Sequence, residues 1–473
     1  MNNILIDSET IAAISTPYGK GGIGIIRISG DEVEYISNKF FKKIPIIRKA
    51  EYLSFHDYKN NEILDKGIVI FFKKPNSFTG ENLLEFQCHG NPHMMSYILD
   101  NILLCPNVRL AYPGEFTKRA YLNNKLDLFQ SESIINLINS NSLLESRLYS
   151  KSVQGIFSNE IKNLIKKLDE IKILIETFID FSYENIDINL NLKIKFLLKN
   201  IINKINNLIL NSEKSYLISK GIIISIIGEP NVGKSSLFNL LINKDRSIIT
   251  SIPGTTRDSI NEILVLNNSI NINLFDTAGI HNTDDIIEKL GIKKTKELIN
   301  KSDLLILVID NIDIRNNLLI KNKLNILKNK VNKYIFNIIN NTCIPIIIVK
   351  NKCDLSKDDI KIYDNYFEKN ISLITISAKL NTGINLIIKN IEQILKLNNI
   401  NEIKFLISKR HIDILKKSFN ILNIDENKFD ISILSDNISL SQKELLSLIN
   451  INKNTHNSEK ILSEIFSKFC IGK

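Results

Sequence analysis

Gly228-Glu229-Pro230-Asn231-Val232-Gly233-Lys234-Ser235 decides how this chain is read. The apolar run Ile222 to Ile227 precedes it and predicts a buried parallel strand; Ser236-Leu237-Phe238-Asn239-Leu240-Leu241 follows and predicts a helix start. Strand, G-x-x-x-x-G-K-S and helix in that order make a phosphate loop. Its glycines let backbone N–H groups turn inward toward phosphate oxygens. Lys234 adds a point charge, and the Ser235 hydroxyl suits Mg2+.

Working outward, Asp276-Thr277-Ala278-Gly279 follows the predicted strand Ile270 to Phe275. Asp276 suits Mg2+ held through a water, and the Gly279 N–H suits a γ-phosphate sensor. Thr250-Ser251-Ile252-Pro253-Gly254-Thr255-Thr256 lies between these motifs. One of Thr255 and Thr256 is expected to complete an oxygen-rich Mg2+ shell. Asn351-Lys352-Cys353-Asp354 follows the strand Ile346 to Val349, and Ser377-Ala378-Lys379 follows Leu373 to Ile376. A carboxylate at Asp354 accepts from guanine N1–H and the exocyclic amine, donors that adenine lacks in that arrangement. A backbone N–H in Ser377-Ala378-Lys379 suits guanine O6, and the Lys352 stem suits the purine face. The ordered set specifies GTP. Contacts are expected from Asn231, Val232, Gly233, Lys234, Ser235 and Ser236 and from the motifs just quoted.

Ile280, not Gln, follows Gly279. An aliphatic side chain cannot orient the attacking water, so hydrolysis needs another water-positioner and another positive charge. Glu288, in Asp284-Asp285-Ile286-Ile287-Glu288, is a candidate, although position alone better suits a solvated acidic helix face.

At 473 residues the chain has room for roughly three domains. A GTPase domain uses about 160–180 residues. Residues up to about 119 read as mixed α/β, 120–216 as helical, 217–396 as the GTPase domain with a doubly wound sheet, and 397–473 as helical again. The simplest topology is a helical domain interrupted by the GTPase domain. The net charge of +10 suits a polyanion such as RNA, although Lys enrichment also belongs to a chain-wide Ile/Asn/Lys bias. Sparse, scattered aromatics offer no evident stacking platform. The five cysteines form no C-x-x-C pair, which argues against zinc and fits a reducing cytosol. No apolar run reaches the ~18 residues of a membrane span.

Tyr18-Gly19-Lys20-Gly21-Gly22-Ile23-Gly24 satisfies G-x-G-x-x-G, but the β-branched stretch after it is no helix, so a dinucleotide fingerprint is excluded. A tight loop between strands is expected instead. Arg27 alternates with apolar neighbours and is expected to face away from them.

Several segments together resemble the tRNA-modification GTPase family known as MnmE or TrmE, over essentially the whole chain. They are Thr10–Pro17 with the glycine loop and Arg27-Ile28-Ser29-Gly30, Pro75–Glu81, His89-Gly90, Pro113–Thr117, Asn123–Leu128, the GTPase set, and Phe469-Cys470-Ile471-Gly472-Lys473. The resemblance implies an N-terminal α+β domain binding 5-formyltetrahydrofolate through Arg27, Glu85, Lys125 and Lys473. It implies K+ at the phosphates, held by Asn231, Thr250, Ile252 and Thr255, and Mg2+ held by Ser235 and Thr256. Glu288 would orient water, and Cys470, otherwise readable as an inert buried thiol, would matter for modification. The implied partners are a second copy, tRNA, and an FAD-dependent protein in a heterotetramer or larger complex, without a membrane and in the cytoplasm. The implied reaction adds an aminomethyl or carboxymethylaminomethyl group at C5 of a wobble uridine. Tyr18, Lys20 and Cys88 depart from the family pattern without removing a matched ligand. The alternative is a ribosome-assembly-type GTPase switch that binds RNA and performs no one-carbon chemistry.

Overall fold

The computed structural model describes residues 9–180, 188–229, 231–244, 261–265, 271–276, 297–310, 344–355, 360, 362–367, 371–395, 403–423, 431–450, 462, 465–467, 469 and 472. These fall into two compact units. The first comprises Met1–Asn139, Tyr149–Asn207 and Asp413–Lys473; the second comprises Ser140–Leu148 and Leu208–Ile412.

The first unit opens with a six-stranded sheet. Its strands are β1 (Thr10–Ile14), β2 (Gly21–Ser29), β3 (Glu51–His56), β4 (Ile63–Phe72), β5 (Leu83–Gly90) and β6 (Val108–Leu110), in spatial order β3-β4-β5-β2-β1-β6. Neighbours are antiparallel except β1 and β6. Strand periodicity sorts the side chains. Ile26 and Ile28 are buried with Phe86, Val69 and Phe71 on one face, beneath α1 (Val33–Phe41) and α2 (Pro92–Leu103). Phe55 stacks between Phe40 (4.6 Å) and Phe86 (5.5 Å). Arg27 faces the other way, as its alternation predicted. The glycine loop is shorter than expected. Gly21, Gly22 and Gly24 already belong to β2, because extended glycines let β2 lie close against β5, where Gly21 and Gly90 pair.

Local signals start the helices. Asn91 caps α2, its Oδ1 accepting from the N–H groups of His93 (3.0 Å) and Met94 (3.2 Å), with Pro92 as the first helical residue. After α3 (Glu115–Leu122), Asp127 and Gln130 form a reciprocal capping box at the start of α4 (Leu128–Ile138). Further helices are α5 (Leu143–Val153), α6 (Ile156–Asp180) and α7 (Ile188–Lys220). Leu462, Phe466 and Phe469 bury themselves against Tyr121 of α3 and Leu128 of α4. Gly114, at φ 68°, admits this segment: a Cβ there would press on the Phe466 carbonyl and the Phe469 ring.

The second unit is built on a seven-stranded sheet. Its strands are β7 (Ile222–Gly228), β8 (Asn261–Val265), β9 (Asn271–Asp276), β10 (Leu304–Asp310), β11 (Ile346–Asn351), β12 (Ile362–Phe367) and β13 (Ile371–Thr375). They run in the order β12-β13-β11-β10-β7-β9-β8. The five central strands are parallel; β8 and β12 are antiparallel edges. Continuous apolar runs such as Leu304–Val308 and Ile346–Val349 are buried throughout, as a sheet covered on both faces requires. The helices include α8 (Lys234–Lys244) after β7 and α9 (Ile384–Ile394) after β13. Two later helices follow, α10 (Lys409–Leu422) and α11 (Ile431–Ile449). In the first unit α11 packs on α6, where the Gln442 amide donates to the Asp169 carboxylate at 2.7 Å.

Candidate functional site

β7 has β9 on one side and β10 on the other, so the chain reverses its direction of winding there. Ligands of doubly wound sheets sit outside the strand carboxyl ends at such a point. The phosphate loop leaves β7 at this place. Asn231 and Gly233 have φ of 63° and 97°, the left-handed turns that aim successive N–H groups to one side. A Cβ on Gly233 would collide with the Asn351 amide. Lys234, the first residue of α8, is buried, and its ammonium donates to the carbonyls of Gly228 (3.2 Å) and Glu229 (2.7 Å). Ser235 and Ser236 follow in the first turn of α8.

The Asn351 segment comes from the next parallel strand but one. Asn351 donates from Nδ2 to the Val232 carbonyl at 2.9 Å and accepts at Oδ1 from the Ala378 N–H at 2.9 Å. It therefore links the phosphate loop to the segment after β13. Cys353 is buried, and its N–H donates to the Ile376 carbonyl at 3.1 Å. Asp354 Oδ1 accepts from the Ser377 hydroxyl at 2.6 Å, and the Leu380 N–H donates back to that hydroxyl at 3.2 Å. One carboxylate oxygen is thereby fixed and the group is oriented. Lys352, at φ 63°, reaches Asp310 at the end of β10, Nζ to Oδ2 2.6 Å. Lys379 follows Ala378 and is exposed. The three segments thus converge at the carboxyl end of the parallel sheet.

Asp276 is the last residue of β9. Thr250, Ser251, Ile252, Pro253, Gly254, Thr255, Thr256, Thr277, Ala278, Gly279 and Glu288 lie outside the described residues, as do Cys470 and Lys473.

A second cluster occupies the N-terminal sheet. Arg27 of β2 and Glu85 of β5 are register partners. Arg27 donates through Nε (2.9 Å) and Nη2 (2.7 Å) to Glu85 Oε1. Its guanidinium carbon lies 5.7 Å from the Phe78 ring centre and 5.8 Å from that of Phe116. Beside those rings runs a buried charge network. Arg119 donates to Glu81 (3.0 Å), Glu115 (3.1 Å) and the Glu9 carbonyl (2.8 Å). Glu81 also accepts from the Ser29 hydroxyl at 2.8 Å. Burial pushes the Glu115 carboxyl up, but hydrogen bonds from Arg109 and the Tyr112 N–H, with the Arg119 charge, more than reverse this and leave it below the usual range. Lys125 is exposed in the turn between α3 and α4. Asn123 in that turn donates to the Thr79 carbonyl at 2.7 Å, tying it to the loop that carries Phe78. Gly472 meets the end of β1, where its carbonyl accepts from the Ser15 hydroxyl at 3.0 Å.

Sequence reasoning missed Asp310, Phe78, Phe116 and the Arg119 network. Phe78 and Phe116 stood inside recognised motifs, yet only the sheet register brings both to Arg27. Asp310 ends an apolar strand as Asp276 does, and that was the available signal.

Residues 10–125 match the family model described as GTP-binding protein TrmE N-terminus, and residues 128–470 match the MnmE helical domain. A tRNA modification GTPase MnmE from Wigglesworthia glossinidia brevipalpis is 41% identical over 477 residues, covering 99% of this chain and 100% of that protein. One from Buchnera aphidicola subsp. Cinara cedri (strain Cc) is 43% identical over 472 residues, covering 98% and 99%. The chain belongs to the MnmE family of tRNA modification GTPases. This MnmE-family chain accordingly binds GTP and is a GTP hydrolase. Among the described residues, no helix is long and apolar enough to cross a membrane.

Proposed function

We propose that this chain is a potassium-stimulated GTPase that works with an FAD-dependent partner on the wobble uridine of certain tRNAs. The product carries an aminomethyl or carboxymethylaminomethyl group at C5. In this reading residues 1–119 bind folate, 120–216 with 397–473 form one helical domain, and 217–396 are the inserted GTPase domain. The protein works in the cytoplasm as a homodimer, joined to its partner in a heterotetramer or larger complex.

The observation that carries the reading is the Arg27–Glu85 pair, with the Arg27 guanidinium near both the Phe78 and Phe116 rings, in a chain that also binds GTP. A guanidinium beside a carboxylate suits an acidic cofactor with ring N–H donors, and the rings supply apolar walls. Arg27, Glu85, Lys125 and Lys473 would hold 5-formyltetrahydrofolate, which supplies the one-carbon unit when bound. Cys470 belongs to the same reading.

At the nucleotide, Ser235 and Thr256 would hold Mg2+. Asn231, Thr250, Ile252 and Thr255 would hold K+, which supplies positive charge where the phosphates develop negative charge. The donor chemistry fits, since hydroxyl, amide and carbonyl oxygens suit hard cations. Lys234 is fixed at the loop carbonyls, and Glu288 would orient the attacking water.

Equilibrium dialysis of 5-formyltetrahydrofolate against the whole chain tests the reading. Saturable binding, lost in Arg27→Ala, is expected. Absence of binding would favour a GTPase switch without one-carbon chemistry.

A further inference from the structure

α7 has an outward face that the GTP site and the N-terminal cluster leave unused. Ile194, Leu198, Ile201 and Ile205 are buried and form one stripe at helical spacing. Phe196 lies opposite that stripe and is 65% exposed, a position where an aromatic ring gains nothing from the core. Lys193 precedes it by three residues and Lys199 follows by three, both exposed and both on the Phe196 side. Lys204 extends the same face, along which Asn200, Asn203 and Asn207 are also exposed.

The charge on this face has one sign. From Ile188 to Ser212 the helix carries four lysines and neither Asp nor Glu. At its far end Lys204 lies beside Lys167 of α6, a neighbour that lowers its proton affinity. Glu160 also acts on Lys204, in the opposite sense, and leaves the three groups net positive. Two neighbouring lysine amino groups suit a shared phosphate oxygen, whose charge would relieve their repulsion. Asp169 of α6 accepts from the Gln442 amide of α11.

We infer that the Lys193–Lys204 face of α7, with Lys167 of α6, is a docking surface for single-stranded RNA. The lysines take successive phosphates and Phe196 stacks on an unpaired base. From Lys193 to Lys204 the helix rises about 16 Å, enough for a few nucleotides of a loop. Exposed aromatics beside lysines are how proteins grip unpaired nucleic acid, whereas duplex RNA offers no free base face. The occupant is RNA rather than an acidic protein because the chain belongs to a tRNA-modifying family and the outward residue is an aromatic ring among lysines and amides.

Fluorescence anisotropy of a labelled, unmodified RNA stem–loop with the whole chain, over a range of salt, tests this. The triple variant Lys193→Gln, Lys199→Gln, Lys204→Gln is expected to weaken binding roughly tenfold or more and to flatten the salt slope by about 2. Phe196→Ala is expected to weaken the stem–loop about fivefold or more and to leave a fully paired duplex unchanged. GTP turnover without RNA checks that each variant folds. If the triple variant loses it, Lys199→Gln alone is used, with a slope change of about 0.7 expected. Unchanged affinity and slope, failure of the wild-type chain to bind the stem–loop, or equal loss on duplex and loop would overturn the assignment. Unchanged RNA binding would leave the face to an acidic protein. None of these results bears on folate binding.

Discussion

Asn351 holds Val232. Its amide donates to the Val232 carbonyl at 2.9 Å, while its oxygen takes the Ala378 N–H at the same distance. One buried side chain thus fastens the loop proposed to meet phosphate to the loop proposed to meet the base. Asn351→Ala would leave a buried carbonyl and a buried N–H without these partners, at about 1–3 kcal/mol each. The expected result is a loss of GTP affinity of about tenfold to a hundredfold, with phosphate and base contacts weakened together. Titration with a fluorescent guanine nucleotide measures it; unchanged affinity would show that the two loops hold their shape independently.

Asp354, fixed by Ser377, is expected to set base choice. Asp354→Asn replaces a charged acceptor with an amide that can donate. GTP affinity should fall by about tenfold to a hundredfold, the worth of hydrogen bonds to a charged group. Xanthosine triphosphate, whose base has a carbonyl where guanine has an amine, should bind better than GTP. Competition between the two nucleotides reads the result, and retained GTP preference would remove Asp354 from base recognition.

If Asn231 helps hold a monovalent cation, GTP turnover will be faster in K+ than in Na+ by roughly tenfold or more, the scale of a preorganised charge. Asn231→Ala should abolish the difference between the salts while GDP binding persists. Phosphate release in matched chloride solutions decides it, and equal rates for the native chain would reject the ion assignment.

Arg119 is 4% exposed and contacts Glu81, Glu115 and the Glu9 carbonyl. Arg119→Met would strand buried carboxylates. A cost of about 3–5 kcal/mol is expected, seen as a lower denaturation midpoint of the first unit. Because Phe78 and Phe116 sit beside this network, loosening of the Arg27 site should accompany it. A midpoint within error of the native one would refute the role of the network.

The Glu115 carboxyl has a folded pKa below its ordinary value of 4.5. Its stabilisation is therefore complete above that value and disappears as pH falls through the lower, folded one. Denaturation midpoints should drop on acidification below about pH 4.5, more steeply in the native chain than in Glu115→Gln. Parallel profiles would show that other carboxylates dominate.

The strand–loop–helix of the phosphate loop was legible because its geometry is local. Gly233, Lys234 and Ser235 act through backbone turns and a helix start that eight consecutive residues dictate. The parallel strands announced themselves as apolar runs, and their ends carried Asn351 and Asp276. Arg27 was half legible: alternation told which way it faces but not what it meets. Glu85 is 58 residues away, and Phe116 is further still. Those contacts depend on β2 pairing with β5 rather than with its chain neighbour β3, a choice set by global packing. The glycine loop misled by one turn, since glycine suits close strand pairing as readily as a bend. The Arg119 network left no sequence trace, because buried and solvated Arg–Glu spacings look alike.

The packing of Leu462, Phe466 and Phe469 against Tyr121 and Leu128 has a consequence for biosynthesis. During translation the N-terminal sheet is made long before the residues that roof its neighbouring helices. At roughly 5–20 residues per second the wait is tens of seconds. Throughout it, α3 and α4 must keep an oily surface out of trouble, sheltered by a chaperone or by transient partners. A message truncated before codon 462 would yield a product with that surface permanently bare, and quality-control proteases would be expected to clear it.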